Sequence, residues 1–230
     1  MKQHQIFILL GLLCCFCLIS AGSGYGSETG AQGFIGFTSL DEDEIDFKEI
    51  DGLEELGLND EMDLSDLISI GGAGYSKLAG DQLALGVEYG GIFSGMVDDV
   101  DSKSGNGKVY VSADSSLFLL DLFIGPQVNA NLGEKVRLYC GAGPLLMFGY
   151  ISADFEQREI EEEYDIDVSE NDTAVGAGGY VRLGVEFATG RDSSFGVGVR
   201  GFTSSLDFSD TLGEVDFQGV QGFLTFSSRF

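Results

Sequence analysis

The chain predicts an all-β fold, a closed, antiparallel, up-and-down transmembrane β-barrel of eight strands behind an export signal. Three observations predict it. Apolar residues recur mostly at period two, the repeat of a strand with two unlike faces. The connections between these segments are long and short in strict turn, which puts tight turns on one rim and loops on the other. The acidic residues gather in the long connections.

Composition narrows the class. The 230 residues carry 38 acidic against 12 basic side chains, a net charge of −26, with 35 Gly, 18 Phe, 8 Tyr, 2 Pro and no Trp. That balance excludes nucleic acid as a partner, because phosphate binding needs clustered Lys and Arg. At 43% apolar the chain has enough to bury and is no disordered acidic polymer. Glycine together with Phe and Tyr favours strands and turns over helix.

Residues 1–24 read as a signal peptide. Lys2 supplies the positive start, Ile6 to Ile19 an apolar run, and Ser20-Ala21-Gly22-Ser23-Gly24 the small residues for cleavage. The run is shorter than the roughly 20 apolar residues of a membrane helix. His4, Cys14, Cys15 and Cys17 leave with it. Lipid attachment wants a small residue directly before the modified Cys, and Leu13, Cys14 and Phe16 stand there instead. Residues 25–230 then form one barrel domain whose single Cys140 allows no internal disulfide.

The strands are expected at about 31–39, 67–77, 82–96, 114–131, 135–152, 173–188, 194–207 and 216–230. The first rests on Gly33-Phe34-Ile35-Gly36-Phe37. The second has Ile68 and Ile70 on one parity and Tyr75 and Lys77 on the other, which leaves its orientation open. In the third, Leu83, Leu85, Val87 and Tyr89 oppose Glu88. The fourth sets Leu120, Leu122 and Ile124 against Asp121, Gln127 and Asn129, and the fifth Val136 and Leu138 against Arg137. The sixth sets Val181, Leu183, Val185 and Phe187 against Arg182 and Glu186. In the seventh Phe195, Val197 and Val199 oppose Arg200. In the eighth Val220, Leu224, Phe226 and Phe230 oppose Gln221, Thr225, Ser227 and Arg229. Tight turns fall at 78–81, 132–135 and 189–193. Longer connections fall at 40–66, 97–113, 153–172 and 208–215, of which 40–66 and 153–172 are long acidic loops, with Asp41-Glu42-Asp43-Glu44 and Glu161-Glu162-Glu163.

Alternation alone also fits a soluble barrel with its apolar face inside. The export signal, the alternating loop lengths and the charge balance choose the membrane. Three acids (Glu88, Asp121, Glu186) and three bases (Arg137, Arg182, Arg200) lie opposite the apolar faces, a set suited to pairing in a shared lumen. An Arg facing lipid at mid-depth would cost roughly 2–4 kcal/mol. Leu117, Leu119, Phe123, Leu145 and Met147 share the lumenal parity, so the interior is expected to be mixed. A spanning sheet must close, because an open edge leaves backbone groups unsatisfied in hydrocarbon. Eight strands leave an interior about filled by side chains. Strands longer than the roughly 9–11 residues needed to span should project at the loop end.

The carboxyl-terminal FLTFSSRF, with Leu224, Phe226 and Phe230 on alternating positions, resembles the sorting signature of bacterial outer-membrane barrels. The segment Asp121 to Tyr150 is similar to a hairpin of the small porin-like, OmpA-type barrel family, and Gly176 to Phe230 to its last three strands. The resemblance covers most of the mature chain from about Leu67, although 40–66 is longer than the family's compact first loop. It implies outer-membrane lipid and the barrel-assembly machinery as partners. It also implies periplasmic termini and extracellular loops in a Gram-negative-type envelope. It implies no single chemistry, because the fold hosts several.

No catalytic residues are expected. General acid–base catalysis near neutral pH most often uses His, and the mature chain has none. Residues 99–105 follow a calcium-loop spacing, but Lys103 occupies a ligand place and Ser104 the place that needs Gly, so no metal site is assigned. The acidic loops offer diffuse binding to divalent cations or to an extracellular ligand. No Gly run precedes a helix pattern or a Gly-Lys-Ser/Thr, so no nucleotide or other cofactor is expected. The reading is a non-enzymatic outer-membrane barrel with an envelope-structural or surface-interaction role. The alternative is a narrow channel for small solutes or ions, and a third class is a soluble ligand-binding barrel.

Overall fold

The structure, a computed structural model, describes residues 29–41, 44–46, 61–63, 67–103, 109–159, 167–190, 192–208 and 213–229. The signal segment 1–24 and Phe230 lie outside them. The strands are β1 (Thr29–Leu40), β2 (Glu44–Asp46), β3 (Glu61–Asp63), β4 (Leu67–Ala79), β5 (Leu83–Lys103), β6 (Val109–Leu132), β7 (Val136–Glu159), β8 (Asp167–Ala188), β9 (Ser193–Phe208) and β10 (Gly213–Arg229). β1 and β4 to β10 form a closed barrel of eight strands in chain order, sealed by β1 against β10, and every pair is antiparallel. β2 and β3 pair with each other as a short ribbon between β1 and β4.

Register partners lead from Gly30 through Tyr75 and Glu88 to Gly125, which stands against Gly143 between the pairs Phe123–Leu145 and Gln127–Gly141, and then through Tyr180, Phe202 and Gly219 to Leu40, ten residues further along β1. Closure with that stagger tilts the strands by about 40°. Two tight turns use glycine in the left-handed region, Gly80 at φ 85° and Gly133 at φ 76°, where a Cβ would be strained.

Four strands run further than their side-chain pattern suggests. β5 and β6 extend to Lys103 and from Val109, and β7 and β8 to Glu159 and from Asp167. Most of the connections expected at 97–113 and 153–172 is therefore paired strand. The antiparallel ladder is made of backbone groups and continues after apolar alternation has stopped, so the pattern marks where two environments meet the wall and not where pairing ends.

The two faces of the wall differ sharply. Phe226, Leu183 and Val197 on the outside are 57%, 53% and 46% exposed, while Arg182 and Arg200 on the inside are 6% and 1% exposed. A barrel dissolved in water would need the reverse. β4, whose orientation the sequence left open, turns Leu67 and Ser69 inward and Ile68 and Ile70 outward. The outer face is thus one apolar band fit for lipid. Cys140 lies on it, exposed. Aromatic rings cluster there at both ends: Phe195 with Phe226 toward the turns at 5.3 Å, and Phe118 with Phe93 and Tyr150 toward the loops at 5.8 and 6.3 Å. Such pairs are typical of the two interfaces of a membrane barrel.

Toward the loop rim the polarity inverts. On β9, Val197 and Val199 face out beside inward Arg200, whereas further along Thr203 and Asp207 face out and Phe202, Leu206 and Phe208 face in. β10 mirrors this: Val220 and Leu224 face out below, and Asp216 and Gln218 face out above buried Phe217.

Candidate functional site: the lumen and the loop rim

The strand register brings all six charges named from the sequence into the lumen and joins them in three ion pairs. Arg137 and Glu186 are direct register partners on β7 and β8, and Arg137 Nε donates to Glu186 Oε2 at 2.7 Å. Arg182 reaches across to β5, where its Nε donates to Glu88 Oε2 at 2.7 Å. Arg200 forks onto Asp121 of β6 with bonds of 2.8 and 3.1 Å. Glu88, Glu186, Asp121 and Arg200 are buried. Such pairs contribute little net stability over an apolar filling, but losing one partner strands a buried charge.

Neutral groups link the pairs. Gln32 Nε2 donates to Glu186 Oε1 at 2.7 Å, and Gln32 Oε1 accepts from Arg182 Nη1 at 2.9 Å. Tyr180 donates to Glu88 at 2.7 Å, and Ser227 donates to Glu186. Glu88, Arg182, Gln32, Glu186 and Arg137 therefore form one continuous chain near the turn end. Nearer the loops a second network runs from Asp121 through Arg200 to Gln221 at 2.6 Å, then to Thr38 at 3.0 Å. Thr38, Ser69 and Ser94 complete it. Residue order alone places Gln221 and Ser227 on the face opposite the apolar set of the last strand, but Gln32, Thr38, Ser69, Ser94 and Tyr180 are not named with the charges. Their signal was present, because each shares the lumenal parity on its strand. The Arg200 guanidinium also lies 5.1, 5.0 and 5.6 Å from the rings of Phe123, Tyr180 and Phe202, placements that favour a cation.

Beside Asp121, whose register partners are Ile92 and Met147, and above the polar networks, the lumen is apolar. Leu67, Leu117, Leu206 and Phe208 have no exposed surface, and Ile92, Met147 and Ile151 are each 1% exposed. Leu117, Leu119, Phe123, Leu145 and Met147 all stand inward. At the turn rim the barrel opens into a cavity of about 310 Å³, lined by Asn131, Glu134, Lys135, Arg137, Glu186 and Asp192. A smaller cavity of about 20 Å³, room for one water molecule, is lined in part by Tyr75, Gln127 and Arg182. Tyr75 Oη and Gln127 Oε1 are buried without a protein partner.

Glycines make room for these side chains. A Cβ on Gly141 would lie 2.1 Å from Glu88 Oε1, and one on Gly198 would lie 2.3 Å from Tyr139 Oη. Among the described residues no group of His, Cys, Asp and Glu is arranged to hold a metal ion.

Of the C-terminal signature, Leu224 and Phe226 stand on the outer face and Phe230 lies outside the described residues. Charge is distributed with equal sidedness. The segments 41–66, 97–116, 152–173 and 203–218, which along the chain join β1 to β4, β5 to β6, β7 to β8 and β9 to β10, hold 31 acidic against 4 basic residues, a net of −27. The rest of the chain holds 7 acidic against 8 basic residues.

No family model matches the chain, and no curated protein matches it. The structure is similar to those of two small outer-membrane barrels. Ail, the attachment invasion locus protein of Yersinia pestis, solved with the heparin analogue sucrose octasulfate, is 14% identical at a TM-score of 0.42, covering 89% of this chain and 100% of that one. Neisserial surface protein A is 12% identical at a TM-score of 0.47, covering 90% and 100%.

Proposed function

We propose that this chain is a non-enzymatic barrel of a bacterial outer membrane, with periplasmic termini, whose role is to present an acidic rim outside the cell and to strengthen the envelope. The observation that carries the reading is the filled lumen, in which ion-paired networks and buried apolar side chains occupy the interior. Such an interior supports a scaffold role over a channel. The outer apolar band supports burial in lipid. The net charge of −27 at the loop rim supports recognition of cationic partners and diffuse binding of divalent cations, since a one-signed rim concentrates counter-ions. Sucrose octasulfate, the polyanion held by Ail, carries the wrong sign for this rim. In the same reading, Leu224, Phe226 and Phe230 serve the barrel-assembly machinery, and the six lumenal charges hold the wall together.

Purified protein in planar bilayers tests the choice against a narrow channel. Membranes that take up folded protein yet show no reproducible conductance steps are expected, and regular steps would favour the channel. Bulky residues at Gly86 or Gly184 are poor plugs for such an assay. A Cβ there already meets Ser76 O at 2.3 Å or Tyr139 Oη at 2.4 Å, so the wall would distort before the lumen filled. Protease added to whole cells tests location: cleavage is expected within 40–66 and near 160–166, and cleavage only after cells are opened would overturn the orientation.

A further inference from the structure

We infer that the barrel leaves the bilayer where its polarity inverts, and that the part beyond is a water-immersed collar with its own apolar core, seated on the lipid headgroup layer. This rests on the membrane-barrel reading and adds where the membrane ends. In hydrocarbon a wall is apolar outside, and its interior is free to be polar. In water the same closed sheet is stable only with the pattern reversed, because burial of apolar surface then supplies the driving force.

Both patterns occur on the same strands. On β9 the outward series is Val197, Val199, Gly201, then Thr203, Ser205, Asp207. On β10, running the other way, Asp216 and Gln218 are exposed and give way to Val220 and Leu224. On β8, exposed Asn171 and Thr173 precede exposed Val175. Inside, the change occurs at the corresponding level, from Arg200 to Leu206 and Phe208, and from Gln221 to Phe217. β9 and β10 therefore agree on one boundary, Val220 pairing with Gly201 and Gly219 with Phe202, whereas on β8 it lies higher, because exposed Val175 comes two residues beyond the pair Ala177 and Ser205. On β9 and β10 the outward groups above the boundary are hydroxyls, amides and carboxylates; Ser205 donates to Glu214 at 2.9 Å. Such a surface fits water and headgroups.

At about 3.3 Å per residue and a tilt of about 40° each residue gains about 2.5 Å of height. From Gly201 to Phe208 the wall on β9 is then about 18 Å tall, more than the Debye length of about 8 Å at physiological ionic strength.

Single cysteines in a Cys140→Ser background test this, placed at Val199, Thr203 and Asp207 on β9 and at Val220, Gln218 and Asp216 on β10. They are spin-labelled and reconstituted in phosphatidylcholine–phosphatidylglycerol vesicles. Collision with oxygen, which concentrates in hydrocarbon, is compared with collision with a water-soluble nickel chelate. Oxygen should dominate at 199 and 220 and the chelate at 207 and 216, with the crossover at 203 and 218. Oxygen dominance at all six sites would overturn the collar and leave the membrane barrel standing. Chelate dominance at 199 and 220 as well would overturn the membrane reading and the collar with it. All six side chains point outward, so the labels displace no packed group, and heat-shifted gel mobility identifies folded protein.

Discussion

Arg182 on β8 and Arg200 on β9 are register partners, two like charges side by side on the lumenal face of the wall. Directly opposed like charges ordinarily destabilise a sheet. Here each guanidinium turns to its own carboxylate across the barrel, Arg182 to Glu88 and Arg200 to Asp121. The ring of Phe123 lies 5.7 Å from the first and 5.1 Å from the second. Acid, ring and base together make an otherwise repulsive pair tolerable.

Replacing Arg182 by Leu removes the partner of buried Glu88 and the donor to Gln32. Destabilisation of about 3–5 kcal/mol is expected for a buried pair broken on one side, read as a lower urea midpoint of heat-shifted gel mobility. A double variant, Arg182→Leu with Glu88→Leu, should recover part of the loss. Membrane fractionation should be unchanged in both. A single variant as stable as the wild type would show that the pair does not act as a lock.

The Phe123→Leu variant should lose about 1–3 kcal/mol, combining a lost aromatic packing partner with two weakened cation–ring contacts. In an Arg200→Met background the same change should cost less. Equal costs in both backgrounds would remove the ring from the charge network.

Two glycines facing Tyr139 separate by chemistry. For Gly198 the tight contact of an added Cβ is the Tyr139 hydroxyl at 2.3 Å, with the next atom at 3.3 Å. For Gly184 the ring carbon Cζ at 2.5 Å and Val197 O at 2.6 Å are also in the way. Gly198→Ala should therefore be rescued by Tyr139→Phe, and Gly184→Ala should not. Unfolding midpoints of the four variants check this, and equal rescue at both sites would contradict the packing.

Deleting Phe230 should slow insertion by the assembly machinery while leaving the folded barrel's urea midpoint within about 0.5 kcal/mol, the usual range for changes away from packed features. Insertion kinetics at the wild-type rate would remove the role of the terminal signature.

Much of this molecule was legible from residue order. Side chains of a strand alternate by local geometry, so Glu88, Asp121 and Arg200 could be assigned to one face without knowledge of any partner. The inward leucines at 117 and 119 could be placed by the same parity. Their meaning could not, because they read as exceptions to a polar lumen until the height of each residue was known. Parity carries no height.

Residue order by itself determined the strand count, the alternation of turns and loops, and which side chains share a face, because all three follow from short-range periodicity. Tertiary structure alone decided that Arg182 meets Glu88 and Arg200 meets Asp121, how far β5 to β8 continue, and the level at which the wall inverts. Those depend on the ten-residue stagger with which the sheet closes. Closure sets which distant residues stand at one height, and no local pattern encodes it.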